Sequence, residues 1–251
     1  MAYIKLTVDC GNDIYTYKYH SQRYGIKTER GINEKPTSKQ QKKINRRLSA
    51  RKRQWTASCN FGEGDFYITF TYMRQLRPDD TSTAHKNMMS TLAKIRRKLK
   101  KENTPLMYMC TTERGSKGAV HHHLLIKNNF NIGLLCDLWK CGKIDLIPIR
   151  TGSMAALAGY FAKETEAEHV SKKREKETIH SASRNLKKPK IKKQIIKART
   201  FTEIPLPKKD CYKIHEYNGF QSIAGYMYQE YIQTRVKPDS INHNQLRFEV
   251  F

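Results

Sequence analysis

The spacing of apolar and polar positions predicts an alternating series of strands and helices. Residues 3–8 (Tyr-Ile-Lys-Leu-Thr-Val) and 14–19 (Ile-Tyr-Thr-Tyr-Lys-Tyr) flank Gly11-Asn12-Asp13, the pattern of a hairpin within residues 3–32. Residues 38–57 follow a helical period that opens at Ser38, with Gln41 at capping-box spacing. Ile44, Leu48 and Trp55 fall on one stripe of that helix. From residue 61 the period alternates. Phe66, Ile68 and Phe70 share one face of a strand and Thr69 and Thr71 the other. Met88, Leu92, Ile95 and Leu99 stripe a helix over 83–101. Strands at 106–113 and 119–127 follow, joined by the turn Arg114-Gly115-Ser116-Lys117-Gly118. A short helix near 132–140, a strand at 143–149 and a third helix from 151 to about 165 complete the run; Met154, Leu157 and Phe161 stripe the last.

The order β-α-β-β-α-β-α predicts an α+β fold. Its centre is an antiparallel sheet with helices on one face and the other face open, flanked by basic N- and C-terminal extensions. An open sheet face is a platform on which a single strand of nucleic acid can lie. We divide the chain into an N-terminal hairpin and basic helix (1–60), the core (61–167), a basic segment (168–199) and a small C-terminal element (200–251). The basic segment, with Lys172-Lys173-Arg174-Glu175-Lys176-Glu177, is expected to be extended or partly disordered. The C-terminal element regains strand and helix patterning, and no internal repeat is visible.

Charge narrows the partner. The 251 residues hold 48 Lys+Arg against 23 Asp+Glu, a net charge of +25. Such a surplus opposes compaction unless a polyanion balances it, and nucleic acid precedes an anionic membrane as the candidate. Fourteen Tyr and nine Phe offer flat faces for base stacking, which favours nucleic acid. Arg46, Arg47 and Arg51 on the first helix fit a solvated face and a basic arm on a phosphate backbone equally well. The six cysteines are scattered, and Cys136 and Cys141 lack the spacing of a zinc knuckle. They are expected to be reduced packing residues in a cytoplasmic protein. The sequence shows neither a long apolar run nor a signal-peptide core.

The candidate chemistry lies in Val120-His121-His122-His123-Leu124-Leu125. On a strand His121 and His123 share a face and His122 takes the opposite one, toward the helices or the backbone. Strand 106–113 ends in Glu113 and pairs with the histidine strand, so the carboxylate can join the two imidazoles. Two imidazoles and a carboxylate suit Mg²⁺ or Mn²⁺, and also zinc or iron. The basic composition argues against an iron oxygenase. On the third helix Tyr160 stands at the margin of the buried stripe, and Lys163 one turn on shares its side. An ammonium there stabilises phenolate and phosphate alike.

These motifs together resemble the HUH endonucleases, and among them the rolling-circle replication initiators of small phages, plasmids and single-stranded DNA viruses. The resemblance covers roughly residues 30–165, with Ile68-Thr69-Phe70-Thr71-Tyr72 as a first motif. It continues at Ser183-Arg184-Asn185-Leu186-Lys187-Lys188-Pro189, similar to a stretch after the catalytic domain of phage and mobile-element replication proteins. It implies an RRM-like HUH fold and a metal held by Glu113, His121 and His123. Tyr160 would be the nucleophile, assisted by Lys163, and Arg114, Lys117, Arg184, Lys187 and Lys188 would join Arg46, Arg47 and Arg51 on DNA. The implied activity is nicking of single-stranded origin DNA, with a 5′-phosphotyrosine, a free 3′ hydroxyl and later rejoining. The partners would be origin DNA and host helicase and polymerase, since the chain lacks a nucleotide-binding G-x-x-x-x-G-K-[ST] loop. Two positions depart from the family pattern. His122 replaces a usually apolar residue, and Ala156 stands where two-tyrosine relatives carry a second tyrosine. The latter favours a single-tyrosine mechanism. A transposase, a relaxase and a non-enzymatic single-strand-binding protein are the alternatives, although relaxases usually place the tyrosine ahead of the histidines.

Overall fold

The computed structural model describes residues 2–21, 25, 38–115, 118–150, 152–162, 178–197, 204–220 and 225–236. The chain forms two compact units, one of Pro36–Lys188 and one of Met1–Lys35 together with Pro189–Phe251.

The first unit begins with α1 (Lys39–Asn60), whose Ser38 Oγ accepts from the Gln41 amide at 3.1 Å. Only half of a capping box forms, because the Gln41 side chain donates to Asn45 at 2.9 Å instead. Strand β3 (Phe66–Thr71) leads to α2 (Thr81–Lys101), capped by Asp80. Strands β4 (Tyr108–Arg114) and β5 (Val120–Ile126) form the central hairpin. Then come α3 (Gly133–Leu138), β6 (Ile144–Pro148), α4 (Ala155–Ala162) and β7 (Ile179–Ala182). The five strands are antiparallel in the order β6-β3-β5-β4-β7.

Period-two alternation gives this sheet two different faces. Ile68, Phe70, Tyr108, Cys110, Val120, Leu124 and Ile126 form one core with the α2 stripe Met88, Leu92, Ile95 and Leu99 and with Leu135 of α3. The other face is covered at one end. There Tyr67, Met109 and Leu125 pack against Ala57 of α1 and Ala158 and Phe161 of α4. The α+β architecture with helices on an antiparallel sheet is as expected, whereas the second face is open only beyond that apolar row. The cause is local: α1 and α4 each carry a short apolar patch, and Tyr67, Met109 and Leu125 are the apolar positions of a face otherwise lined by Thr, His and Glu. The expected stripe of α1 is also split. Trp55 is buried, but Ile44 and Leu48 are 41% and 48% exposed, so only the C-terminal half of the helix packs by its stripe.

The second unit is a five-stranded antiparallel sheet built around the N-terminal hairpin. That hairpin is β1 (Ala2–Asp9) and β2 (Asp13–Ser21), turning at Gly11 with φ +85°. Chain segments remote in sequence flank it: β8 (Lys190–Ile196) on β1, then β10 (Met227–Arg235) on β2, with β9 (Cys211–Phe220) outermost. The resulting order is β8-β1-β2-β10-β9. Arg235 closes the pairing through two hydrogen bonds to the Asp9 carboxylate, at 3.0 and 2.8 Å. Part of the basic segment is therefore a strand, β8. Residues 163–177, including the run from Lys172, lie outside the described residues. All six cysteines are free thiols.

Candidate metal centre

The register of β3, β5, β4 and β7 sets rows of side chains across the partly open face. One row is Thr69, His123, Thr111 and His180; the next is Thr71, His121 and Glu113. Glu113 stands directly across from His121, and His123 lies one row behind on the same face. The ligand atoms of the three residues lie within 4.8 Å of one another, the one such cluster found among the described residues. Glu113 Oε1 is 2.9 Å from His121 Nε2 and 3.4 Å from His123 Nε2. The imidazole planes cross at 81° with centroids 4.9 Å apart, so both Nε2 atoms converge without the rings stacking.

Each ligand is held from behind. His123 Nδ1 is 2.8 Å from the Tyr67 hydroxyl and 3.2 Å from Thr69 Oγ1. Such partners fix ring orientation and, with Nδ1 protonated, leave the Nε2 lone pair for a cation. His121 rests close to Gly115, where an added Cβ would stand 3.2 Å from its Cε1. Hydrogen bonds from His121 and then His123 hold the Glu113 carboxyl far below the usual carboxylate range, against the opposing effect of burial. The site thus offers an anionic oxygen and two nitrogens around one point. That donor set fits a divalent cation and does not by itself select one.

His122 takes the opposite face and is fully buried. Its Nε2 is 2.9 Å from the Tyr72 hydroxyl and its Nδ1 2.8 Å from Thr112 Oγ1. The Trp139 ring meets it edge-on at 5.6 Å. Burial drives its pKa down to about 3, so the ring is neutral.

Tyr160 is 63% exposed on α4, the helix that packs on the same sheet face. A charge on Tyr160 is felt at Tyr67, whose pKa is raised first by burial and then by Tyr160 and Glu113. Tyr67 in turn touches His123, so the exposed phenol borders the cluster. Two residues of α1 brace α4: Arg53 donates to the Ala162 carbonyl at 3.2 Å and Gln54 to that of Ala155 at 3.1 Å.

Lys163 and Lys117 lie outside the described residues. Arg114 projects to the sheet face opposite Glu113 and donates to the carbonyls of Gly118 and Asp79. Arg46 and Arg47 are exposed along α1, with Arg51 half-buried. The side chains of Arg184, Lys187 and Lys188 are exposed after β7. In that stretch Ser183 bonds the backbone of Tyr108, and Asn60 clamps both the amide and the carbonyl of Lys187 at 2.7 and 2.9 Å. The Ser183–Pro189 motif therefore pins β7 onto the sheet.

Sequence reasoning missed two kinds of participant. Tyr67 and Thr69 support His123 from the neighbouring strand, and His180 reaches the same row through Thr111, whose Oγ1 is 2.9 Å from His180 Nδ1. Burial and then the Arg53 charge lower the His180 pKa to about 4. The Tyr67 signal was available, since Tyr67 and Thr69 alternate with the apolar face of β3. His180 follows a long charged stretch and had none.

No curated protein and no solved structure matches the chain. No helix among the described residues is long and apolar enough to cross a membrane. Residues 65–169, under half of the chain, match the family described as Replication-associated protein ORF2/gene II protein, and this segment holds Glu113, His121, His123 and Tyr160. Over that segment the chain belongs with these replication-associated proteins, in keeping with a Rep-type replication initiator.

Proposed function

We propose that the chain is a HUH-type replication initiator that nicks single-stranded origin DNA with Tyr160 as nucleophile. The observation that carries this reading is the convergence of Glu113, His121 and His123 on the sheet face that also seats α4 and its exposed Tyr160. Glu113, His121 and His123 would hold Mg²⁺ or Mn²⁺, which when bound makes the scissile phosphorus more electrophilic. Tyr67 and Thr69 keep the His123 ring aimed. The Tyr160 oxygen would attack phosphorus, forming the phenol ester and breaking the bond to the 3′ oxygen. The phenol proton leaves as the 3′ oxygen gains one, so a free 3′ hydroxyl and a 5′-phosphotyrosine result. Lys163 would steady the phosphate or the phenolate. Because the ester keeps the bond energy, the 3′ hydroxyl can attack it later and rejoin the strand. Host helicase and polymerase would supply unwinding and synthesis.

The metal dependence is testable with oligonucleotides tiling the element's own DNA. We expect cleavage in Mg²⁺ or Mn²⁺, a fall of more than about a hundredfold on chelation, and a similar loss in His123→Ala. Oligonucleotide binding should survive both changes. Cleavage that continues undiminished in excess chelator would refute the metal role.

A further inference from the structure

Alternation in the second unit sorts its sheet into an apolar face and a cationic one. Ile4 and Val8 of β1 and Tyr15 and Tyr17 of β2 share the first and are buried. The other face carries Tyr3, Lys5 and Thr7 on β1, opposite His20, Lys18 and Thr16 on β2. Strand β8 continues these rows with Gln194 beside Lys5 and Lys192 beside Thr7. Lys5 and Lys18 thus stand directly across from each other on adjacent strands, where like charges destabilise a sheet. The two described acids of this face are committed elsewhere, Glu216 to Lys213 and Asp9 to Arg235.

Aromatic rings flank the lysine row on both sides. Tyr3 meets His20 edge-on at 4.6 Å, and His20 stacks on Tyr226 at 4.2 Å. On the other side the Lys18 ammonium sits 5.7 Å from the centre of the Tyr231 ring. Tyr3, Lys5, Lys18 and His20 are all half-exposed, and Lys192 and Gln194 are exposed. Burial and then the Lys5 charge depress the Lys18 pKa, as two cations held without a shared counterion require.

We propose that this face of the second unit is a binding site for single-stranded DNA, with backbone phosphate over Lys5 and Lys18 and a base on the Tyr3–His20 cluster. A phosphate between the two ammonium groups turns a repulsive cross-strand pair into a bridge. Adjacent aromatic rings provide the sequence-tolerant stacking that single strands use. The exposed ammonium of Lys192, one row on, extends the cationic track. This site is independent of the nicking reading, because it uses none of the residues assigned to that chemistry.

The decisive variant is Lys5→Glu in the full chain, with binding measured in chelator on a Tyr160→Phe background so that no cleavage intervenes. The introduced carboxylate would pair with Lys18, so thermal stability should hold or rise, whereas affinity for a single-stranded oligonucleotide should fall about tenfold or more. The slope of log affinity against log salt should become shallower by roughly 0.7 for each phosphate no longer neutralised. Tyr3→Ala should weaken single-strand binding and leave the salt slope unchanged, the mark of stacking. Duplex binding should change less than single-strand binding in both variants. Wild-type affinity and slope in a folded Lys5→Glu would overturn the proposal, and a larger loss for duplex would overturn the single-strand assignment. Failure of adduct formation at Tyr160 would refute the nicking reading and leave this measurement intact.

Discussion

Three consecutive histidines on a strand divide their roles because the strand has two faces and one of them is sealed. His121 and His123 meet Glu113 on the accessible face, whereas His122 is enclosed by Tyr72, Thr112 and Trp139. Removing the His122 ring would leave two buried hydroxyls without it and open a cavity. We expect His122→Ala to cost roughly 2–4 kcal/mol in urea unfolding. The pH dependence has a definite sign. The unfolded chain protonates His122 near its ordinary pKa of 6.5, but the folded chain refuses the proton until about pH 3. The stabilisation is therefore complete above about pH 6.5 and drains away as pH falls from there toward 3. His180 acts in the same direction, with its folded pKa at about 4. The unfolding free energy of the wild type should therefore be lower at pH 5 than at pH 7, and the difference should shrink in His122→Gln. Equal differences would show that His122 is not held neutral.

At the scale of elements, the sequence disclosed most of what positions the cluster. The Thr69/Thr71 alternation fixed the faces of β3, the His121-x-His123 spacing fixed β5, and the glycine turn placed Glu113 beside them. The stripe Met88, Leu92, Ile95 and Leu99 is buried as expected. Local periodicity could not disclose which helix covers which part of a face. Tyr67, Met109 and Leu125 sit on three different strands, so the apolar row that seats α1 and α4 exists only after pairing. The exposure of Ile44 and Leu48 is a similar limit, since a stripe shows which residues could pack and not how far the partner extends. One connection is sterically exacting: a Cβ at Gly142 would overlap the Thr71 carbonyl oxygen, a backbone atom with no room to yield. We expect Gly142→Ala to lose roughly 2–4 kcal/mol or fail to fold. Gly62, with nothing within 4 Å of its added Cβ, should tolerate Ala within about 0.5 kcal/mol by thermal unfolding.

The whole molecule pairs a sheet contiguous in sequence with one assembled from both ends of the chain. Strands β1 and β2 are a local hairpin and were legible as such, but β8 and β10 join them across most of the sequence. Such pairing leaves no periodic signature at either end, and the charges of β8 suggested a solvated segment rather than an edge strand. The two sheets divide the proposed work: the first places a cluster and a nucleophile, and the second offers cations and rings to the strand being handled. The surplus of +25 charges is consistent with this division. The most direct measurement is to trap the covalent product from origin oligonucleotides and map it by peptide mass spectrometry. We expect one adduct, a 5′-phosphate ester on Tyr160, absent from Tyr160→Phe and accompanied by a 3′ hydroxyl that a polymerase extends. An adduct on another residue, or equal yields from wild type and Tyr160→Phe, would contradict the assignment of Tyr160 as the nucleophile.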